Sequence, residues 1–342
     1  MIGFVWSFLL SAPVMSQNYV AERINVEGFE VIRLADTARR TEVRVAAWMG
    51  NNAYSMKING VEAFWSPYST LAEWKAKPAQ IGNPFLAPWA NRIDQDAFYA
   101  NGKKYLLNAG LGNFRKDANQ KPIHGLVVYA PWEVTSVKAG ADGAEVTSRL
   151  EFWRRPDWMS QFPFAHTYEM TYRLRDGVLE VSTSIENLST EPMPVSLGYH
   201  TYYLVADAPR DEWKVRLPAR DHLVLSRELI PTGESKPVTL AQPLSLGGTQ
   251  LDDVFGGLTR GAGGRAVFSV EGKRQKITVE YGPRYTVGVA YAPPGRNFIC
   301  FEPMTGPTNA FNLAHQGIYK ELQTVPAGGR WSESFWVRPS GY

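Results

Sequence analysis

The sequence has little cysteine, no surplus of charge of either sign, and no long hydrophobic run beyond its first residues. Its single thiol, Cys300, excludes an internal disulfide and any metal site built from clustered cysteines. After Met15, prolines and charges interrupt every stretch that approaches the ~20 apolar residues needed to cross a bilayer, so we expect no membrane partner. Lys and Arg number 36 against 33 Asp and Glu, and this net charge of +3 is scattered singly, which does not indicate a nucleic-acid-binding surface.

The one long apolar stretch lies at the very start of the chain. Residues 2–15 have about the length of the apolar part of a secretory signal, and Val14-Met15-Ser16 offers a cleavage site before Gln17. No Lys or Arg precedes the stretch, so the positive start of a typical signal is missing. We treat residues 1–16 as a candidate signal peptide. With it the protein would be periplasmic or secreted, and without it cytoplasmic.

Short alternating segments dominate the rest of the chain. Leu179 to Glu186 alternates Leu, Val, Thr and Ile with Glu and Ser, as in a half-buried antiparallel strand. Val267 to Val270 and Lys276 to Tyr281 flank a turn with glycine and predict a hairpin. Because 30 glycines and 23 prolines mark turns between many such runs, the pattern predicts an all-β sandwich or barrel.

Helical signals and domain boundaries are scarce. Thr70-Leu71-Ala72-Glu73 has the spacing of a capping box and predicts a short helix that ends before Pro78. No linker, composition shift or repeat divides residues 17–342, which we expect to form a single domain. The glycines between residues 256 and 264 lack the Lys-Ser/Thr of a phosphate loop, so no nucleotide site is expected.

Histidines and carboxylates are the remaining candidates for catalysis. No histidine has the helical zinc spacing, and neither a Gly-x-Ser-x-Gly elbow nor a Cys-His signature is present, so metal and acyl-transfer chemistry lack support. His124 lies between a proline and a glycine. Strand alternation puts His200 on the same face as Gly198 and Tyr202. Glu302 ends an apolar strand, where burial would raise its pKa. Taken alone, each of these contexts fits a structural role at least as well.

These three contexts belong to a longer, ordered pattern of four segments. The segments are Pro88-Trp89-Ala90-Asn91-Arg92-Ile93 followed by His124-Gly125, then Gly198-Tyr199-His200-Thr201-Tyr202-Tyr203, then Leu251-Asp252-Asp253-Val254-Phe255, and last Phe301-Glu302-Pro303 continuing to Asn309-Ala310-Phe311-Asn312. In order and approximate spacing they resemble the signature of the aldose 1-epimerase (galactose mutarotase) family. The resemblance spans residues 88 to 312, most of the chain.

The resemblance implies a large antiparallel β-sandwich with an open sugar-binding cleft. It implies an enzyme that interconverts the α and β anomers of a free aldohexose by acid/base ring opening, which requires no metal or organic cofactor. From their positions in the matching motifs, Glu302 is expected to be the general base and His200 the general acid. His124 is expected to hydrogen-bond near the ring oxygen or a neighbouring hydroxyl.

The resemblance also implies residues that bind the substrate. Arg92 and Asp252 are expected to hold sugar hydroxyls, with Asn91 beside the arginine, and the adjacent Asp253 competes with Asp252 for this role. Trp89 or Tyr202 is expected to stack on the apolar face of the sugar, and a place in the core is the alternative for either. The partner would be a small-molecule sugar, bound by a monomer or a homodimer.

Three other functions stay open at this point. A carbohydrate-binding or sugar-sensing protein would keep the fold without turnover. A glycoside hydrolase would use Glu302 and Asp252 as its two carboxylates. A hexose-6-phosphate epimerase would need extra cationic residues at the cleft, for which Arg115, Arg154 and Arg155 are scattered candidates.

Overall fold

Antiparallel strands make up most of the structure, a computed structural model that describes residues 18–342. Strands hold 50% of the residues and helices 8%, which confirms the prediction of an all-β fold. The candidate signal peptide, residues 1–16, lies outside the described residues. Among residues 18–342, no helix is long and apolar enough to cross a membrane.

Twenty-eight strands follow one another along residues 18–342. The first fourteen are β1 (Tyr19–Val26), β2 (Phe29–Asp36), β3 (Thr41–Ala46), β4 (Asn52–Ile58), β5 (Val61–Glu62), β6 (Phe85–Leu86), β7 (Ala97–Ala100), β8 (Lys103–Leu106), β9 (Arg115–Lys116), β10 (Pro122–Ile123), β11 (Glu133–Gly140), β12 (Gly143–Glu151), β13 (His166–Arg175) and β14 (Val178–Asn187). The others are β15 (Met193–Val195), β16 (Gly198–Tyr199), β17 (Thr201–Tyr203), β18 (Lys214–Arg216), β19 (Ala219–Leu225), β20 (Pro231–Pro237), β21 (Leu244–Ser245), β22 (Leu251–Leu258), β23 (Ala266–Glu271), β24 (Lys276–Tyr281), β25 (Val287–Ala292), β26 (Ile299–Met304), β27 (Gln323–Val325) and β28 (Arg330–Ser340).

The helices are short. They are α1 (Leu71–Ala76), α2 (Pro156–Met159) and α3 (Ala310–His315), with single 3-10 turns at Ala109–Leu111, Phe152–Arg154, Arg210–Glu212 and Ala262–Gly264. The predicted capping box starts α1: the hydroxyl of Thr70 accepts a hydrogen bond from the backbone N–H of Glu73 at 3.1 Å. In return, the carboxylate of Glu73 accepts one from the backbone N–H of Thr70 at 3.3 Å. The sequence prediction of this helix is therefore confirmed.

Three large antiparallel sheets organise the strands. The first has the order β1-β2-β3-β4-β5, and the second has the order β11-β12-β13-β14-β28-β24-β23-β18-β21. The third has the order β20-β19-β22-β25-β26-β16-β6, with β17 also paired to β26. The predicted hairpin of β23 and β24 is present, with Val270 opposite Ile277.

The nine-stranded and eight-stranded sheets pack face to face as the predicted sandwich. Phe268 of β23 packs against Phe301 of β26 with ring centroids 5.7 Å apart. Tyr199 of β16 packs against Phe335 of β28 at 4.8 Å. One continuous hydrophobic core joins these residues to the five-stranded sheet, for example to Val43. One face of the eight-stranded sheet is thus used for the core, and its other face is left for a site.

Candidate functional site

The two faces of the eight-stranded sheet carry different kinds of side chain. Ile299 and Phe301 of β26 belong to the core between the sheets, so Cys300 and Glu302, which alternate with them, point to the opposite face. Tyr202 of β17 is the register partner of Cys300 and packs with it there. We call this surface the site face. It carries Gly198, His200, Tyr202, Asp252, Val254, Val289, Tyr291, Cys300 and Glu302.

Glu302 lies in the middle of a strand and not at its end. β26 continues to Met304 because it has neighbours on both sides, with Val289 of β25 opposite Glu302 and Gly198 of β16 opposite Met304. The glutamate is 1% exposed. The expectation of a strand-end carboxylate is therefore wrong. The burial that was expected to raise the pKa of Glu302 is present, and it is nearly complete.

His200 lies between β16 and β17 and meets Glu302 directly. Its Nε2 is 3.2 Å from Oε1 of Glu302. Its backbone N–H donates to the carbonyl of Pro84 at 3.0 Å, and its ring stacks on Tyr202 with centroids 4.8 Å apart. A side chain at Gly198 would collide with Met304, since a Cβ there would lie 2.0 Å from its Sδ. Glycine at this position lets β16 pair closely with β26 and hold the imidazole against the carboxylate.

His124 joins this pair from a tight backbone turn. Its φ is 65°, and Gly125 beside it has φ of 67°. A Cβ at Gly125 would lie 2.0 Å from the carbonyl oxygen of Ala87, so only glycine fits. The backbone N–H of His124 donates to the carbonyl of Asn91 at 2.9 Å. The rings of His124 and His200 meet edge to face with centroids 5.5 Å apart.

Arg92 is held beside the histidines by an ion pair. Its Nε donates to Oδ2 of Asp117 at 2.6 Å, and the two side chains are only 15% and 10% exposed. A backbone bridge between Arg92 and Ile123 aligns it with the residue before His124. Asn91 acts in this arrangement through its backbone carbonyl. The first sequence segment is thus assembled as a unit around His124.

Strand alternation separates the two neighbouring aspartates of β22. Asp253 points to the same side as the buried Phe255, and its Oδ1 lies 2.8 Å from Nε2 of His222. Asp252 points to the site face, where Tyr291 is its register partner. Its charge acts on Glu302. Of the two candidates, Asp252 is the one that shares a face with Glu302 and His200.

Trp89 lies in the core and does not line the site face. Its side chain is 1% exposed, and its indole packs against Phe114 with centroids 6.2 Å apart. Stacking requires an open ring face, and this indole offers none. The expectation that Trp89 stacks on a sugar is therefore corrected. The aromatic side chains that do lie beside His200 are Tyr202 and Tyr291.

Burial shifts the pKa values of Glu302 and His200 in opposite directions. It raises the pKa of Glu302 well above its usual value, and the negative charge of Asp252 adds to the effect. Burial lowers the pKa of His200 to about 4, with the positive charge of Arg115 acting in the same direction. The pKa of His124 is also lowered well below its usual value by burial. Both shifts favour the neutral forms, which are the protonated carboxyl of Glu302 and the unprotonated imidazole of His200.

Several buried polar atoms at the site have no hydrogen-bond partner within residues 18–342. They are Nδ1 of His124, Nδ1 of His200 and Oε2 of Glu302. A buried polar atom normally has a partner, because leaving it bare costs about 1–3 kcal/mol. These atoms match a ligand rich in hydroxyl groups. No group of three His, Cys, Asp or Glu side chains suited to a metal ion occurs among the described residues.

Three residues near the site were not assigned a role from the sequence. Asp117 and Tyr129 were not considered, and Arg115 was named only as one of several scattered cations. Asp117 fixes Arg92, while Arg115 and Tyr129 lie against each other, with the guanidinium 5.9 Å from the ring centroid. The turn at residues 117–120 could have indicated the position of Arg115, because it closes the β9–β10 hairpin and places Arg115 opposite Ile123. No local sequence signal connects Tyr129 to the site.

Known proteins resemble the chain over most of its length. The family model described as aldose 1-epimerase matches residues 33–338. Galactose mutarotase of Homo sapiens is 26% identical over 253 residues, which cover 69% of this chain and 68% of the human protein. YihR of Escherichia coli K12, an uncharacterized protein, is 24% identical over 234 residues, which cover 66% of this chain and 70% of YihR.

Solved structures share the fold. A galactose mutarotase-like protein from Clostridium acetobutylicum superposes with a TM-score of 0.85 at 22% identity, covering 96% of this chain and 100% of that one. A galactose 1-epimerase from Lactobacillus acidophilus superposes with a TM-score of 0.73 at 14% identity, covering 95% of this chain and 99% of the other. Because the family model matches nearly the whole described chain, this protein belongs to the aldose 1-epimerase family.

Proposed function

We propose that the protein is an aldose 1-epimerase that interconverts the α and β anomers of an aldohexose. The observation that carries the proposal is the 3.2 Å contact between Nε2 of His200 and Oε1 of Glu302, both buried on the site face. The anomeric hydroxyl oxygen and the ring oxygen of a sugar are bonded to the same carbon. A base and an acid that act on these two oxygens must therefore lie side by side, as this pair does.

In the proposed reaction, Glu302 first passes its proton to Nε2 of His200 across their 3.2 Å contact. Glu302 then takes the proton of the anomeric hydroxyl while His200 gives its proton to the ring oxygen. The C1–O5 bond breaks, and C1 becomes an aldehyde. After rotation about C1–C2, the hydroxyl on C5 attacks the other face of the aldehyde. It returns its proton to His200, and Glu302 returns its proton to the carbonyl oxygen. The number of protons on the pair is unchanged over the cycle. Each group is expected to accelerate the reaction by a factor of ~10²–10⁴.

The remaining residues of the site are assigned to positioning and binding. His124, edge to face with His200 at 5.5 Å between ring centroids, would donate toward the ring oxygen or a neighbouring hydroxyl. Arg92 would donate to sugar hydroxyls from the guanidinium nitrogens that Asp117 does not use. Asp252 would accept from two vicinal hydroxyls.

Polarimetry on freshly dissolved α-D-glucose and α-D-galactose tests the proposal. The protein is expected to speed the approach to the equilibrium rotation in proportion to its concentration. A carbohydrate-binding protein on the same fold would leave the rate at that of the buffer. A glycoside hydrolase would instead release reducing ends from an oligosaccharide, which a reducing-sugar assay detects.

The proton shared by Glu302 and His200 predicts a bell-shaped dependence of kcat/KM on pH. With two protons on the pair no base is available, and with none no acid is left. Because the pKa of His200 is lowered to about 4, the acidic limb should lie well below 6.5, the ordinary histidine value. Because the pKa of Glu302 is raised, the alkaline limb should lie above the ordinary range of a glutamate. Blank-corrected rates across pH measure both limbs, and an acidic limb at 6.5 would contradict the assignment.

The Asp252→Asn variant is expected to bind the sugar poorly. Losing an ionised acceptor of hydroxyl hydrogen bonds should raise KM by roughly 10- to 100-fold. It should also move the alkaline limb of the pH profile downward, because the charge of Asp252 helps to raise the pKa of Glu302. Asp253→Asn is the matched control, since Asp253 pairs with His222 on the other face of β22. Equal effects of the two substitutions on KM would contradict the role of Asp252.

A further inference from the structure

Most cations beside the site are neutralised by carboxylates. Arg92 pairs with Asp117, and Lys116 pairs with Asp96 at 2.7 Å. Lys121 bridges two carboxylates at 2.7 and 2.9 Å. A positive charge used in this way holds the loops together and is not available to a ligand.

Arg115 is different. Within residues 18–342 it has no salt-bridge partner, and it is exposed. Its position is fixed all the same, because β9 pairs with β10 and sets Arg115 opposite Ile123, the residue before His124. Its charge acts on the imidazoles of both His124 and His200. An unpaired guanidinium therefore stands at the edge of the site, on the side of the two histidines.

Tyr129 supplies a second polar group at the same place. Its ring lies 5.9 Å from the guanidinium carbon of Arg115. It packs on the hydrophobic cluster that contains Val289, the register partner of Glu302. Its hydroxyl is buried and, among the described residues, has no hydrogen-bond partner. A donor without a partner and a cation without a counterion thus lie together, next to the strand that leads into His124.

We propose that the site selects aldohexoses that carry an anionic group on C6, which Arg115 and the hydroxyl of Tyr129 bind. This inference rests on the proposed epimerase function, because the position of the anion follows from the reaction geometry. His200 acts on the ring oxygen, and the ring oxygen is bonded to C5, which carries C6. The C6 substituent therefore extends to the side of the histidines, where Arg115 lies.

A guanidinium suits an oxyanion because its parallel N–H groups can donate to two oxygens at once. A phosphate, a sulfate and a carboxylate on C6 share this chemistry. They differ in shape and charge, since the first two are tetrahedral and the carboxylate is planar. The three sources can therefore be separated by experiment with the 6-phosphate, the 6-sulfate and the uronic acid of glucose and of galactose.

The test compares kcat/KM for each charged sugar with that for its neutral parent, measured by polarimetry or by NMR exchange between the anomers. For at least one charged form, the wild type is expected to show a ratio of roughly 10 or more, as a charge-assisted hydrogen bond would give. Arg115→Gln should reduce this ratio to about one, and Arg115→Lys should restore part of it. Tyr129→Phe should lower the ratio by a smaller factor. Arg216→Gln, an exposed arginine of β18 in the other sheet, should leave it unchanged.

The outcomes separate this inference from the proposed function. Acceleration of neutral sugars with ratios of one or less, or ratios that Arg115→Gln does not change, would overturn the anion site and leave the epimerase in place. If no sugar is accelerated, the epimerase proposal fails. Calorimetry with glucose 6-phosphate, glucose 6-sulfate and glucuronate then decides the anion site, which is overturned if none binds or if Arg115→Gln leaves binding intact.

Discussion

A Glu302→Gln protein is expected to lose ~10²–10⁴-fold in kcat while folding at least as stably as the wild type. The loss follows because an amide cannot take the proton of the anomeric hydroxyl. The amide keeps the size of the side chain and its contact with His200, so KM should change little. Polarimetric progress curves at saturating sugar measure the effect on kcat.

The stability of the same variant should depend on pH in a specific direction. The pKa of Glu302 is raised in the folded state above the ordinary value of 4.5 that it has in the unfolded chain. Ionisation therefore favours unfolding, and the wild type loses stability as pH rises from 4.5 through the raised pKa. The glutamine variant escapes this loss. Its advantage in the free energy of unfolding should be absent at low pH and grow toward high pH, as urea titrations at several pH values can show.

Glu62→Gln provides a matched control. Glu62 is another glutamate whose pKa is raised by burial, and it accepts hydrogen bonds from the hydroxyl of Ser55 and the backbone N–H of Met56 in the five-stranded sheet. Its replacement should leave kcat near the wild-type value. A fall in kcat after Glu62→Gln as large as after Glu302→Gln would show that the loss reports a general disturbance and not a missing base.

The second large effect is expected for His200→Asn, which removes the group that we propose as the acid for the ring oxygen. We expect kcat to fall by ~10²–10⁴-fold. Because the two groups act in the same ring-opening step, the double variant Glu302→Gln/His200→Asn should have a kcat only slightly below that of the more impaired single variant. The double variant, measured in the same assay, tests this directly.

His222→Asn is the control for this substitution. His222 also touches a carboxylate, at 2.8 Å from Asp253, but away from the site face. Full activity is expected to remain. Two additive losses in the Glu302→Gln/His200→Asn double variant would contradict a shared step and separate the two residues into independent roles.

Local signals in the sequence predicted the elements that depend on neighbouring residues. Alternation over residues 179–186 and the glycine turn before Lys276 correspond to β14 and to the β23–β24 hairpin. The capping box of Thr70 marks the first residue of α1. Sheet order could not be predicted in this way. β28 pairs with both β14 and β24, and no feature of its sequence indicates that these two distant strands are its partners.

The candidate site shows the same division. The roles proposed for Glu302 and His200 rest on residue types and a family resemblance, but their contact depends on the pairing of β16, β17 and β26. The two adjacent aspartates could not be separated without knowing which face of β22 is buried. Trp89 was misplaced because an apolar aromatic residue in a motif fits a core and a binding surface equally well. Whether Arg115 has a carboxylate partner depends on the positions of all nearby Asp and Glu side chains, and these are determined only by the assembled fold.

The position of β28 has a consequence for how the molecule assembles. This strand follows the other strands of its sheet in sequence and yet lies at the centre of it, where Val337 pairs with Leu179 on one side and Val279 on the other. Partners so far apart form contacts slowly, because a long loop must close first. Phe335 of the same strand supports Tyr199, the neighbour of His200. We therefore expect the joining of the two halves of the sheet and the fixing of the imidazole to be coupled, so that a partly folded chain would carry no working site.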